Sequence, residues 1–142
     1  MPDRPVLEAA IEAWLADPDG DVVYAERVEG RWAVRMRQTV RDATTVWWDV
    51  GDYTIAAEAY VLPAPPGDVS GPYRLALSRS YGSWRAHFAL DSEGAFVIRG
   101  RVARDTATFE ELDMLLGEIY SMVETTFRPL VALAFGGREK TS

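Results

Sequence analysis

The chain predicts an α+β fold: an antiparallel sheet with helices packed on one face, in the order α-β-β-β-β-α-β-β-α. Three observations carry this expectation. Apolar residues recur at helical spacing near both ends, at Val6, Leu7, Ala10, Ile11, Trp14 and Leu15 and again from Phe109 to Leu130. Between them, several stretches alternate apolar and polar residues with the period of a half-buried strand. Short turns join most of these stretches, and strands joined by short turns pair antiparallel and leave one face for helices.

The first helix has Asp3 as its candidate cap and Pro5 in its first turn, and Asp17-Pro18-Asp19-Gly20 stops it. Val22 to Val28 reads as a strand leading into a Glu29-Gly30 turn. In Trp32 to Thr39, Trp32, Val34 and Met36 share one face and Ala33, Arg35 and Arg37 the other. Thr44 to Val50 is rich in β-branched and aromatic residues. Tyr53 to Leu62 alternates again, with Tyr53, Ile55, Ala57, Ala59 and Val61 expected inward. Pro63-Ala64-Pro65-Pro66-Gly67 ends the run, because proline lacks a ladder donor. A short helix is expected over 71–81, without a strong cap. A second hairpin follows, with Trp84, Phe88, Phe96 and Ile98 expected inward and Asp91-Ser92-Glu93-Gly94 as its turn. Thr108, with Glu111 three residues on, is a capping box opening the last helix, and Pro129 is expected to end its regular part before Leu130.

Length and composition bound the function. At 142 residues, 48% hydrophobic, the chain is expected to form one domain over 1–136, with 137–142 a disordered polar tail. Without cysteine there is no disulfide, thiolate metal site or cysteine nucleophile. No apolar run approaches the ~20 residues of a membrane span, so no membrane partner is expected and the location is read as cytoplasmic. A net charge of −7 argues against nucleic acid as a partner.

The motifs for catalysis and cofactors are missing. The single histidine, His87, stands on the arginine side of a strand, and no G-x-S-x-G elbow accompanies it. Asp17, Asp19 and Asp21 imitate the start of a calcium loop, but its sixth and twelfth positions are Val22 and Val28 in place of Gly and Glu. Phosphate-binding glycine loops are absent. The expectation is therefore a non-enzyme with no catalytic residue, cofactor or metal. One constellation remains: Arg35, Arg37, Arg85, His87, Arg99 and Arg101 fall on one sheet face if the strand parities hold. That face is either an ordinary solvated surface or a binding surface for an acidic partner, an anionic ligand, or the acidic last helix of a second copy.

Several stretches together resemble the YbjN domain family in its actinobacterial form. They are Tyr53-Thr54-Ile55-Ala56-Ala57-Glu58-Ala59-Tyr60-Val61, Pro63-Ala64-Pro65, Tyr73-Arg74-Leu75-Ala76-Leu77-Ser78-Arg79, Phe88-Ala89-Leu90-Asp91-Ser92-Glu93-Gly94, Gly100-Arg101-Val102 and Glu111-Leu112-Asp113-Met114-Leu115-Leu116-Gly117-Glu118, with Phe127 and Leu133-Ala134-Phe135 after them. Two positions depart from the family pattern: Ser80 stands where an asparagine is usual, and Glu124-Thr125-Thr126 replaces an acidic pair before Phe127. The resemblance implies a type III secretion chaperone-like fold, in a family labelled as sensory transduction regulators. It further implies a protein partner and a homodimer. The functional expectation is a non-enzymatic protein-interaction module, chaperone-like or regulatory. The alternative is a small-molecule or anion-binding regulator that uses the arginine face. The capping box makes its own prediction: Thr108→Ala lowers stability by about 1 kcal/mol in urea unfolding, with an unchanged m-value.

Overall fold

The structure, a computed structural model, describes residues 5–136. Its elements are α1 (Val6–Ala16), β1 (Val22–Val28), β2 (Arg31–Arg37), β3 (Ala43–Val50), β4 (Thr54–Leu62), α2 (Ser70–Tyr81), β5 (Ala86–Leu90), β6 (Phe96–Ala103) and α3 (Phe109–Val131), followed by a π-helical turn over Ala132–Gly136. The predicted order of helices and strands is the observed one. Asp3 and the expected tail over 137–142 lie outside the described residues.

The six strands form one antiparallel sheet in the order β1-β2-β3-β4-β6-β5, so the second hairpin joins the first four strands through β6 and leaves β1 and β5 at the edges. The β1–β2 connection is a two-residue hairpin with Glu29 at φ 51 and Gly30 at φ 86, the doubly left-handed backbone that matches strand twist. Register explains the core. Val34, Val46, Ala59, Ile98 and Phe88 stand opposite one another across β2, β3, β4, β6 and β5, and all are buried. Beside them runs a second row of Trp32, Trp48, Ala57, Gly100 and Ala86. Against these rows pack Leu7, Ile11 and Trp14 of α1 and Leu112, Leu115, Ile119 and Val123 of α3. Trp14 lies 5.6 Å from Trp48 and donates its indole N–H to Asp113 at 2.9 Å, which ties α1 to α3 as well as to the sheet.

Small residues in the second row let α3 come close. A Cβ at Gly100 would sit 2.5 Å from Leu115 Cδ1 and 2.6 Å from the Arg85 carbonyl oxygen. The leucine tip can move aside but the backbone oxygen cannot, so glycine is required there for space.

Three expectations need correction. Trp84 is not part of a strand and is 78% exposed; β5 begins at Ala86, and the N–H groups of Trp84 and Arg85 before it bond to α3. Tyr53 precedes β4 and is exposed, so inward alternation starts at Ile55. Pro129 does not end α3, which continues to Val131. Proline removes one backbone donor, but its ring lies on the solvent side while Leu130 and Thr126 are buried, and that packing outweighs the roughly 3 kcal/mol a proline costs inside a helix. At its start α3 makes one half of the expected capping box: the Thr108 hydroxyl accepts the Glu111 N–H at 3.2 Å, while the buried Glu111 Oε1 has no hydrogen-bond partner among the described residues. The tight approach at Gly100 predicts that Gly100→Ala destabilises the protein by about 2 kcal/mol in chemical denaturation, with native far-ultraviolet dichroism retained.

Candidate functional site

With the helices on one face, the other face of the sheet carries the polar residues. Two bulges interrupt the ladders, between Val22 and Tyr24 in β1 and between Tyr60 and Leu62 in β4. Neither falls within the stretches that hold the candidate arginines. Arg35 stands opposite Thr45, Arg37 opposite Ala43 and Arg101 opposite Ala56; Glu58, Arg99 and His87 form one cross-strand row. All five of the cationic candidates in these strands are exposed, on the face away from α1 and α3.

The structure divides the six candidates into two groups. Arg85, His87, Arg99 and Arg101 come together on and beside β5 and β6. Arg35 and Arg37 lie three strand spacings from β6, about 14 Å. Arg37 is also committed elsewhere, donating to the Gly20 carbonyl at 2.9 Å. Within the first group, Arg99 pairs with Glu58 at 2.9 Å, and Arg85 stacks over the Trp84 ring at 5.6 Å. Arg85, Arg99 and Arg101 line a depression of about 260 Å³ floored by Ala56 and Gly100. A larger depression of about 550 Å³ at the N-terminal end of α1 is lined by Trp32, Trp48, Arg27 and Arg104 among others. Both of its arginines are engaged, Arg27 with Glu8 at 3.5 Å and Arg104 with the Gly51 carbonyl at 2.9 Å.

A second surface lies at the β5 edge. A small apolar depression there is lined by Tyr73, Ala76, Leu77, Phe88, Leu90 and Phe96 among others. Around it the chain exposes Leu77 (68%), Tyr81 (94%) and Leu90 (45%), and Trp84 comes three residues after the end of α2. Leu77 and Tyr81 are four residues apart and therefore share a face of α2. From Ser70 to Leu90 the chain carries three arginines, one histidine and no acid, in a molecule of net charge −7.

The acids of α3 were a possible counterpart of the arginine face, yet most of them serve the fold itself. Glu118 accepts the backbone N–H groups of Trp84, Arg85 and Ala86 at 2.6, 2.6 and 2.7 Å. Burial alone would raise its pKa, but these three donors and the nearby His87 outweigh it and hold the carboxyl below the usual glutamate value. Glu124 grips the β2–β3 turn, accepting from the Thr39 hydroxyl, from the Thr39 N–H at 2.6 Å and from Gln38 Nε2 at 2.7 Å. The Thr39 bonds dominate in holding its pKa down as well. Next to Glu118, the Ser80 hydroxyl accepts the Phe88 N–H at 2.8 Å. The outward N–H groups of edge strand β5 at Ala86 and Phe88 are therefore both occupied.

These roles were not read from the sequence. Glu118 had one signal, since it sits three residues after Leu115 and four before Met122, both buried, at the flank of the apolar stripe. An acid there needs a partner. Arg41 offered none. It reaches the Val61 and Tyr60 carbonyls, each at 2.8 Å, and lies 5.0 Å from the Phe127 ring, and burial lowers its pKa. Among the described residues no cluster of three or more His, Asp or Glu is placed to hold a metal ion, and no helix is long and apolar enough to cross a membrane.

The Glu118 clamp predicts a pH dependence with a definite sign. Its folded pKa is depressed, so its stabilisation is complete above the unfolded value of about 4.3 and is lost as pH falls through the lower folded value. Glu118→Gln should lower stability by ~1–2 kcal/mol at neutral pH, toward the low end because the carboxylate keeps some solvent contact. It should also flatten the acid limb of the stability profile measured by urea melts below about pH 4.5.

With this geometry in view, the chain can be set beside known proteins. No protein-family model matches it. It is 28% identical over 105 residues to an uncharacterized protein of Mycobacterium leprae, covering 74% of this chain and 57% of that one. Uncharacterized proteins of Mycobacterium tuberculosis and Mycobacterium bovis are 28% identical over 86 residues, 61% of this chain and 47% of theirs. The chain thus spans about half the length of these relatives. Among solved structures it is similar to a chain of the heterodimeric ExoU-SpcU complex from the type III secretion system of Pseudomonas aeruginosa, with a TM-score of 0.55 and 15% identity, over 87% of this chain and 96% of that one. The fold is therefore α+β and type III secretion chaperone-like.

Proposed function

We propose that this chain, over residues 1–136, is a protein-interaction module of the YbjN type, chaperone-like or regulatory. In this reading it has no catalytic chemistry of its own, acts as a homodimer, and works in the cytoplasm. The observation that carries the reading is the exposed apolar surface at Leu77, Tyr81, Trp84 and Leu90 beside the depression between α2 and β5. Large apolar side chains grouped on a surface mark a place where protein packs. The likeness in fold to a chain from a complex of two proteins supports a protein-binding role. A second copy is the favoured occupant. With the Ala86 and Phe88 N–H groups taken by Glu118 and Ser80, an extended peptide cannot add to the sheet at β5 through those donors. Docking by side-chain packing remains open, and a two-fold contact would lay the same apolar surface against itself.

Size-exclusion chromatography with light scattering tests this. The wild type should elute with the mass of two chains at micromolar concentration. Leu77→Asp combined with Tyr81→Asp should give a folded monomer, since both side chains are already exposed and contribute little to the core. A wild type that stays strictly monomeric at the highest soluble concentration sinks the dimer.

A further inference from the structure

We infer that the depression lined by Arg85, Arg99 and Arg101 is a binding site for a doubly charged oxyanion, a phosphate or the phosphoryl group of a small phosphate ester. The site lies on the open sheet face and does not depend on the dimer contact.

Ala86 pairs with Gly100 and His87 with Arg99, so Arg85, the residue before β5, enters the sheet at the end of the ladder where β6 continues into Arg101. Both line the depression over Ala56 and Gly100. Like charges placed directly across strands destabilise a sheet. Here they stand together in a chain whose acids outnumber its bases by 22 to 15, so neutralising partners were plentiful in the sequence. The fold supplies one, Glu58, and it goes to Arg99. Asp49 stands opposite Ala56 in β3, which puts it two strand spacings from Arg101, about 10 Å. The Arg101 side chain makes no hydrogen bond or ion pair among the described residues, and the Arg85 guanidinium makes only its stacking contact with Trp84.

The chemistry of the ligand follows from the groups left over. Two unpaired guanidinium forks offer parallel N–H donors suited to the oxygens of a tetrahedral oxyanion. A single carboxylate would neutralise one of them; a phosphate group carries close to two negative charges at neutral pH and neutralises both. On this face the lining is completed by Ala56, whose methyl is too small to fill the space, and by the backbone of Gly100. Glu58 stays bonded to Arg99 and keeps that arm directed along the sheet, so Arg85 and Arg101 carry the binding.

Isothermal titration of the full chain with sodium phosphate, against sodium chloride at matched ionic strength, tests the site. The wild type should bind phosphate saturably in the millimolar range, and Arg85→Gln and Arg101→Gln should each weaken binding about tenfold, as expected for losing one charge-assisted contact. Arg35→Gln, on the same face but three strands away, should bind as the wild type does. Melting curves give a second readout of opposite sign. Without phosphate, Arg101→Gln should melt above the wild type because the like-charge pair is relieved, and added phosphate should raise the melting temperature of the wild type more than that of Arg101→Gln. Glucose 6-phosphate in place of phosphate separates the two sources: tighter binding of the ester assigns a phosphorylated metabolite, and tighter binding of phosphate assigns the free ion. Saturable binding of neither, or equal weakening by Arg35→Gln, overturns the site.

Discussion

The carboxylate of Glu118 in α3 receives three consecutive backbone N–H groups from the residues that enter β5, and much of the architecture rests on that contact. It anchors the entry to β5, because the N–H groups of Trp84 and Arg85 are bonded to Glu118 ahead of the first paired residue, Ala86. It turns Trp84 out to solvent. It also brings α3 down onto the sheet at the point where Gly100 leaves room for it. A carboxylate with three short amide donors is a small anion site built from the protein's own chain. Its strength comes from the charge on the acceptor, since hydrogen bonds to ionised groups are worth about twice those between neutral ones.

The same helix repeats the device along its length. Asp113 takes the Trp14 indole N–H from α1, and Glu124 takes the turn between β2 and β3. The buried stripe from Leu112 to Leu130 supplies the apolar packing, and the acids beside it fix how the helix is rotated and where it sits along the sheet. Hydrophobic burial is non-directional, so it holds α3 against the sheet without choosing a position. Directional bonds to named backbone groups make that choice.

This use of acids shapes the outer surface. With Asp113, Glu118 and Glu124 engaged in the fold, Glu58, bonded to Arg99, is the one acid among the described residues that pairs with Arg85, Arg99 or Arg101. The adjoining edge region, from α2 to β5, carries no acid in its own sequence between Ser70 and Leu90. The molecule therefore has an acidic total but a basic and apolar side, and both surfaces proposed for binding lie on that side. Edge strand β5 is kept from open pairing by Ser80 and Glu118, which favours side-chain contact over strand addition there.

Local pattern determined a good deal. The order of elements, the inward rows of β2, β4 and β6, the Glu29-Gly30 turn and the Thr108 cap were all legible, because each depends on residues a few positions apart. The common face of Arg35, Arg37, Arg99 and Arg101 was legible for the same reason, as alternation survives wherever no bulge intervenes. Tertiary structure decided the rest. The sheet order brought Arg85 and Arg101 to one depression and set Arg35 three strands away, a result of pairing between distant segments. The exposure of Trp84 and the continuation of α3 through Pro129 were settled by contacts that span the chain, with Glu118 in one case and the buried site of Leu130 in the other. Periodicity reports which way a side chain faces; only the folded chain determines what it meets there.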